Sequence, residues 1–187
     1  NRTRELINIM IIEEPEAHIH THIQRTLFDK LKVTKDYTQI IATTHSTHLA
    51  EVSEIRNVNI LKSIGNKSIS MQPNIGLDEF GKKNLQLKDL TLSDCVERYL
   101  DSKRSVLLFS KGVVLVEGDG EEILIPNMIK IALGVSLDEL GIGLVNVGSV
   151  SFEYIASLFS EERIKRSCAI VTDEDIQIVE TDSKLYK

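Results

Sequence analysis

The sequence predicts an α/β protein built on parallel sheet, and three observations predict it. Its strands read as unbroken apolar runs rather than alternating ones, as in "INIMII", "VVLV" and "CAIV", which is the mark of strands covered on both faces. Those runs alternate with amphipathic stretches of helical period. Several of them end in acids or in polar turns, where open parallel sheets present their ligand-binding edge.

Each element has its own justification. Leu6 to Ile12 is a buried strand that Pro15 ends. In "EAHIHTHIQRTLFDKLK", Ile19, Ile23, Leu27 and Leu31 recur every four residues and predict a helix. "TQIIATTHS" is the next strand, so the first fifty residues read as a βαβ unit. "NVNILKSIGNKSISMQP" predicts a hairpin turning at Gly65-Asn66. Residues 76–90 are polar and glycine-containing and read as a loop or linker. "LSDCVERYLDSKRSVLLF" reads as a helix capped by Ser93 or Asp94. After it, "VVLVEG", "IGLVNVGS" and "SCAIVTDED" are strands, separated by the helices "EEILIPNMIKIAL" and "SFEYIASLFSEERIK". Pro126 predicts a kink in the first of these and Gly134 its end. The second carries Phe152, Ile155, Leu158 and Phe159 on one face.

Composition narrows the function. The chain has 187 residues, 42% hydrophobic and 27% charged, with a net charge of -6. That is a globular composition, and it is not that of an overall basic nucleic-acid clamp. The basic clusters "DSKRS" and "RIKRS" read as solvated faces. Two cysteines, Cys95 and Cys168, form no Cys-x-x-Cys pair, so a zinc ribbon or a disulfide framework is not expected, and Cys168 reads as a buried thiol. No run approaches the roughly 18 apolar residues of a membrane span, and no signal-peptide pattern opens the chain. The expected setting is a reducing cytoplasm, without membrane contact. The missing initiator Met and the strands close to both ends predict a piece of a longer protein.

Two constellations carry chemistry. In the first, a strand delivers the adjacent acids Glu13 and Glu14, and the next strand ends at His45. Nucleotide hydrolysis requires one carboxylate for the magnesium shell and another to orient the attacking water. No G-x-x-x-x-G-K-[ST] loop occurs, so the chain alone lacks the backbone nest for a β-phosphate; the missing half is expected before Asn1. His18, His20 and His22 lack the H-E-x-x-H pattern; on a helix only His18 and His22 would share a face, and they read as surface or packing residues. In the second constellation, Glu117 ends a strand before Gly118, Glu121 opens the following helix, and a later strand ends in Asp173 and Asp175, which share a face of extended chain. Carboxylate oxygens converging from neighbouring strand ends suit a hard divalent cation.

"EEPEAHIH" followed by "TTHS" resembles the C-terminal lobe of an ABC-type ATPase head, and more specifically the head of the overcoming-lysogenization-defect (OLD) nucleases. "FSKGVVLVEGDGEE", "NVGS" and "VTDED" resemble the Toprim domain of the same family. The resemblance implies a partial ATPase lobe over residues 1–75, a linker and connecting helix over 76–105, and a Toprim sheet flanked by helices over 106–187, expected to be truncated. It implies Glu13 as the magnesium residue, Glu14 as catalytic base and His45 as switch histidine. It further implies Glu117, Glu121, Asp173 and Asp175 as ligands of Mg2+ or Mn2+, with Glu122 as a substitute for Glu121 and Ser149 near the site. Glu117 and Asp173 would be the catalytic members. The activity implied is metal-dependent DNA endonuclease, coupled to ATP in the full-length protein, in anti-phage defence or DNA processing. DNA, a second copy held through the ATPase lobe and a defence partner protein are the implied partners. Other Toprim chemistry, primase or topoisomerase, is the alternative enzyme reading, and a non-cleaving ATPase-like scaffold is the alternative of another class. Tyr37, Tyr99, Tyr154 and Tyr186 have no context that marks a topoisomerase nucleophile.

Overall fold

The structure, a computed structural model, describes residues 8–33, 38–47, 54–100, 104–148 and 152–173. Among the described residues it is a mixed α/β fold with three separate sheets. The first pairs β1 (Asn8–Glu13) with β2 (Thr38–Thr43) in parallel across helix α1 (Thr21–Val33). The predicted βαβ unit is there, but α1 starts at Thr21 rather than at Glu16. Residues before it form turns, with Ala17 N–H donating to the Glu14 carbonyl and His18 at φ 63°. His18 and His22 therefore share no helical face. Ile9 and Ile11 are 59% and 76% exposed, against the expectation of a strand buried on both faces. One helix and one neighbouring strand do not cover both faces of β1.

The hairpin follows as expected, with β3 (Ile60–Ile64) and β4 (Lys67–Met71) antiparallel around Gly65, at φ 59°. The stretch expected to be loop is not one: α2 occupies Leu77–Asn84. Its polar sequence hides a short apolar stripe, in which Leu77 is fully buried and Phe80 packs on the core. Helix α3 (Leu92–Tyr99) is capped at least two residues earlier than expected and is much shorter. Its cap is Thr91, whose side chain accepts from Asp94 N–H while Asp94 returns the bond to Thr91 N–H. Ser93 instead sends its hydroxyl toward Asn74 and Asp78, 2.6 Å from each acceptor. Leu100 turns extended, and the chain resumes as a short 3-10 turn over Arg104–Leu108.

The third sheet has the order β6-β5-β7, all parallel: β5 (Gly112–Val116) in the centre, β6 (Ile142–Asn146) and β7 (Ser167–Val171) beside it. Helix α4 (Asp119–Leu133) connects β5 towards β6, followed by the single turn α5 (Leu137–Leu140). It runs on through Pro126 and ends at Gly134, whose φ of 74° is the left-handed cap expected there. The second predicted crossover helix shrinks to α6 (Phe152–Ala156). Ile155 and Leu158 still reach the core, but Arg163 holds the chain in turns by donating from Nε to the Ser157 carbonyl and from Nη1 to that of Ile75.

The core lies on the side of the sheet formed by Val113, Leu115 and Val145, under α3 and α6. The "RIKRS" cluster is not the solvated face expected of it. Arg163 is buried and stacks on Phe80, and Arg166 donates to the Leu108 and Ser110 carbonyls. Cys168 is half-buried, and burial pushes its thiol up. No helix among the described residues is long and apolar enough to cross a membrane.

Candidate functional site

The first constellation forms around the ends of β1 and β2. The ladder carries Glu13 opposite Thr43, and Glu14 N–H extends it by donating to the Thr43 carbonyl at 3.0 Å. Glu14 itself sits at φ 41°, a left-handed conformation rare outside glycine. That turn brings its carboxylate to His45: Glu14 Oε1 lies 3.5 Å from His45 Nε2, with both side chains open to solvent. Glu13 is exposed at the strand end.

Glu16, two residues on, was quoted in the motif but given no role by sequence reasoning. Its Oε1 accepts from the Thr44 hydroxyl at 2.6 Å and from His45 N–H at 3.0 Å. Partial burial pushes the Glu16 carboxyl up, but the Thr44 hydroxyl and the N–H groups of Glu16, His45 and Ser46 outweigh it and hold the carboxyl below the ordinary glutamate range.

The second constellation forms at the carboxyl ends of β5 and β7. Val116 pairs with Val171, so Glu117 and Thr172 leave adjacent strands side by side, and the Thr172 hydroxyl donates to Glu117 Oε2. Asp173 follows directly and is exposed, as is Glu117. Asp175 and Ser149 lie outside the described residues.

Glu121 takes a different position from these. Its Oε2 accepts from Gly118 N–H at 3.1 Å and caps α4. Gly118 is extended rather than left-handed; a Cβ there would stand 3.2 Å from Glu121 Oε2. Among the described residues no three His, Cys, Asp or Glu side chains gather closely enough to hold a metal ion. Glu117 and Asp173 offer carboxylate oxygens at this sheet edge, the donor type a hard cation takes.

Cap and ligand predict different outcomes for Glu121→Gln. A glutamine oxygen still accepts the Gly118 N–H, so a residue that only caps leaves nicking by the complete polypeptide within about twofold of wild type. A true ligand loses on the order of 10-fold or more.

Asn146, at the end of β6, ties the same edge together and was not singled out from the sequence. Its Nδ2 donates to Asp119 Oδ1 at 2.8 Å, its Oδ1 accepts from Gly148 N–H at 2.9 Å, and its carbonyl accepts from the Tyr99 hydroxyl at 2.8 Å. Its signal in the sequence was the "NVGS" stretch. A cleft opens here, lined by Arg104, Asp119, Glu122, Asn146 and Gly148. Asp119 thereby ties the start of α4 to the end of β6.

A parallel sheet whose central strand ends in Glu-Gly, and whose neighbour ends in Thr-Asp beside it, places acidic side chains at the carboxyl edge of an α/β fold, where such sheets bind ligands. The comparisons carry this further: residues 108–175 match the family model described as overcoming lysogenization defect protein-like, TOPRIM domain, and residues 1–50 match an AAA ATPase domain. Two stretches of the chain are thus similar to known domains, the later one to an OLD-like Toprim domain and the earlier one to an AAA ATPase domain. Among its relatives is an OLD nuclease of Thermus scotoductus, 28% identical over 121 residues, which cover 64% of this chain and 22% of that protein. Another is the endonuclease GajA of Bacillus cereus, 24% identical over 205 aligned residues, covering 100% of this chain and 29% of that protein. The chain therefore spans less than a third of the length of these curated relatives.

Proposed function

We propose that the chain is the part of a DNA endonuclease that joins an ATP-hydrolysing head to a metal-dependent cutting domain. The observation that carries this is the meeting of Glu117 and Thr172–Asp173 at the ends of two adjacent parallel strands. The names of the two relatives, a nuclease and an endonuclease, support the same reading.

Glu117 and Asp173, with Asp175, would hold Mg2+ or Mn2+. A divalent cation bound there supplies an activated water and stabilises charge on the leaving oxygen of a phosphodiester. The protein contributes position: Thr172 fixes one oxygen of Glu117 and leaves the other for a ligand. Glu14 and His45 would serve the head, Glu14 orienting the water and His45 reading the γ-phosphate, with Glu13 in the magnesium shell. The P-loop must be supplied by residues outside these 187, since none of them forms it. Anti-phage defence or DNA processing, assembly with a second copy, a defence partner protein and a cytoplasmic location are what the family resemblance adds. Topoisomerase chemistry is disfavoured at Tyr99, which is buried with its hydroxyl committed to the Asn146 carbonyl.

The test is nicking of supercoiled plasmid by the complete polypeptide that carries these residues. Nicking is expected with Mg2+ or Mn2+ and is expected to stop on chelation. Undiminished nicking in chelator, or none with either metal, overturns the reading.

A further inference from the structure

The geometry points to Glu16 as the positioning residue of the ATPase head, the group that sets His45 against Glu14. The proposal rests on the reading of Glu14 and His45 as the hydrolytic pair and names the device that assembles it. His45 belongs to a polar turn after β2, and its side chain is 87% exposed, so no packing fixes it. What fixes the turn is a carboxylate from the other strand's end, 29 residues away in sequence.

Glu16 Oε1 accepts from two donors at once, the Thr44 hydroxyl and the His45 N–H. Thr44 Oγ1 in turn accepts from Ser46 N–H at 2.9 Å, so Ser46 joins the clamp through Thr44. Ser46 is held from its far side too, its hydroxyl donating to Gln24 Oε1 at 3.2 Å. The second oxygen of Glu16, Oε2, is buried with no hydrogen-bond partner among the described residues. The carboxylate is thus held chiefly through the turn it clamps, and hydrogen bonds to an ionised acceptor are the stronger kind.

The other half of the device is the backbone of Glu14. Its left-handed φ of 41° and its N–H bond to the Thr43 carbonyl fold the chain back so that Glu14 and Glu16 both face the β2 end. One carboxylate then meets the His45 ring and the other its backbone. Orientation of this kind is worth large factors in rate: an error of about 1 Å in a catalytic group costs on the order of 100-fold.

The experiment compares Glu16→Ala and Glu16→Gln with wild type in the complete polypeptide, by steady-state ATP hydrolysis and by amide hydrogen exchange. Glu16→Ala is expected to lower kcat about 100-fold with KM for ATP within about twofold, and to speed exchange at His45 and Ser46 while the β5–β7 sheet exchanges as before. Glu16→Gln, whose amide oxygen accepts the same two bonds, is expected to restore most of both. Wild-type kcat in Glu16→Ala, a fall in kcat with unchanged exchange at His45 and Ser46, or a glutamine variant no better than alanine, each overturns the proposal. Failure of wild type to hydrolyse ATP overturns the hydrolytic reading itself, a result distinct from an active wild type with an equally active alanine variant.

Discussion

Nicking activity is expected to fall by at least about 100-fold when either Glu117 or Asp173 is replaced by alanine. Residues that merely orient metal ligands cost about 10- to 100-fold on removal, so a ligand costs no less. The two side chains sit at the ends of hydrogen-bonded neighbours β5 and β7, and both are exposed. Their loss therefore leaves the core intact, and folding should be unaffected by circular dichroism. The effects should not multiply: the double variant is expected to be no worse than the poorer single one, because one incomplete site is already inactive. Plasmid nicking across a metal titration provides the measurement. A single variant that nicks at the wild-type rate removes that residue from the site, and two such variants remove the site.

The largest effect on stability is expected at Leu115. It is fully buried in the central strand of the three-stranded sheet and belongs to the core beneath α3 and α6. Leu115→Ala removes three carbons from a place walled by strands on both sides, which cannot close in. The expected loss is about 3–4 kcal/mol, within the range for leucine truncation in rigid cores. Urea denaturation should report it as a lower midpoint at unchanged slope. A loss below about 1 kcal/mol would mean that the sheet repacks.

How much of this was legible in the sequence depended on how local the cause was. The strands were legible because short apolar runs such as "VVLV" bounded by turns suit a sheet, although the two-sided burial expected of them is not met at Ile9, Ile11, Ile170 and Val171, which are exposed. Glu14 beside His45 was legible for the same reason: both stand at strand ends. Helix α2 was not, because its burial rests on few apolar residues among lysines and acids. The long helix predicted over 92–109 was not interrupted by any proline or glycine, yet the chain leaves the helix at Leu100, where its backbone is extended and Tyr99 reaches across to Asn146. Similarly, the basic cluster around Arg163 looked solvated because a sequence does not show which distant carbonyls a guanidinium will reach; here Ile75 is 88 positions away. The Glu16 clamp was hidden by the same distance and by the left-handed turn at Glu14, which nothing short of glycine announces. Glu121 was legible as an acid near the site, but its carboxylate is directed to its own helix start.

The strand order β6-β5-β7 has a consequence in time. The central strand is made before both its neighbours, and Glu117 precedes its partner Thr172 by 55 positions. At roughly 5–20 residues per second of synthesis, several seconds pass between the two. Through that interval β5 has at most one edge paired, and the two carboxylates have not met. A growing chain is thus without its proposed metal-binding edge until β7 has left the ribosome, so the proposed nuclease is born inert.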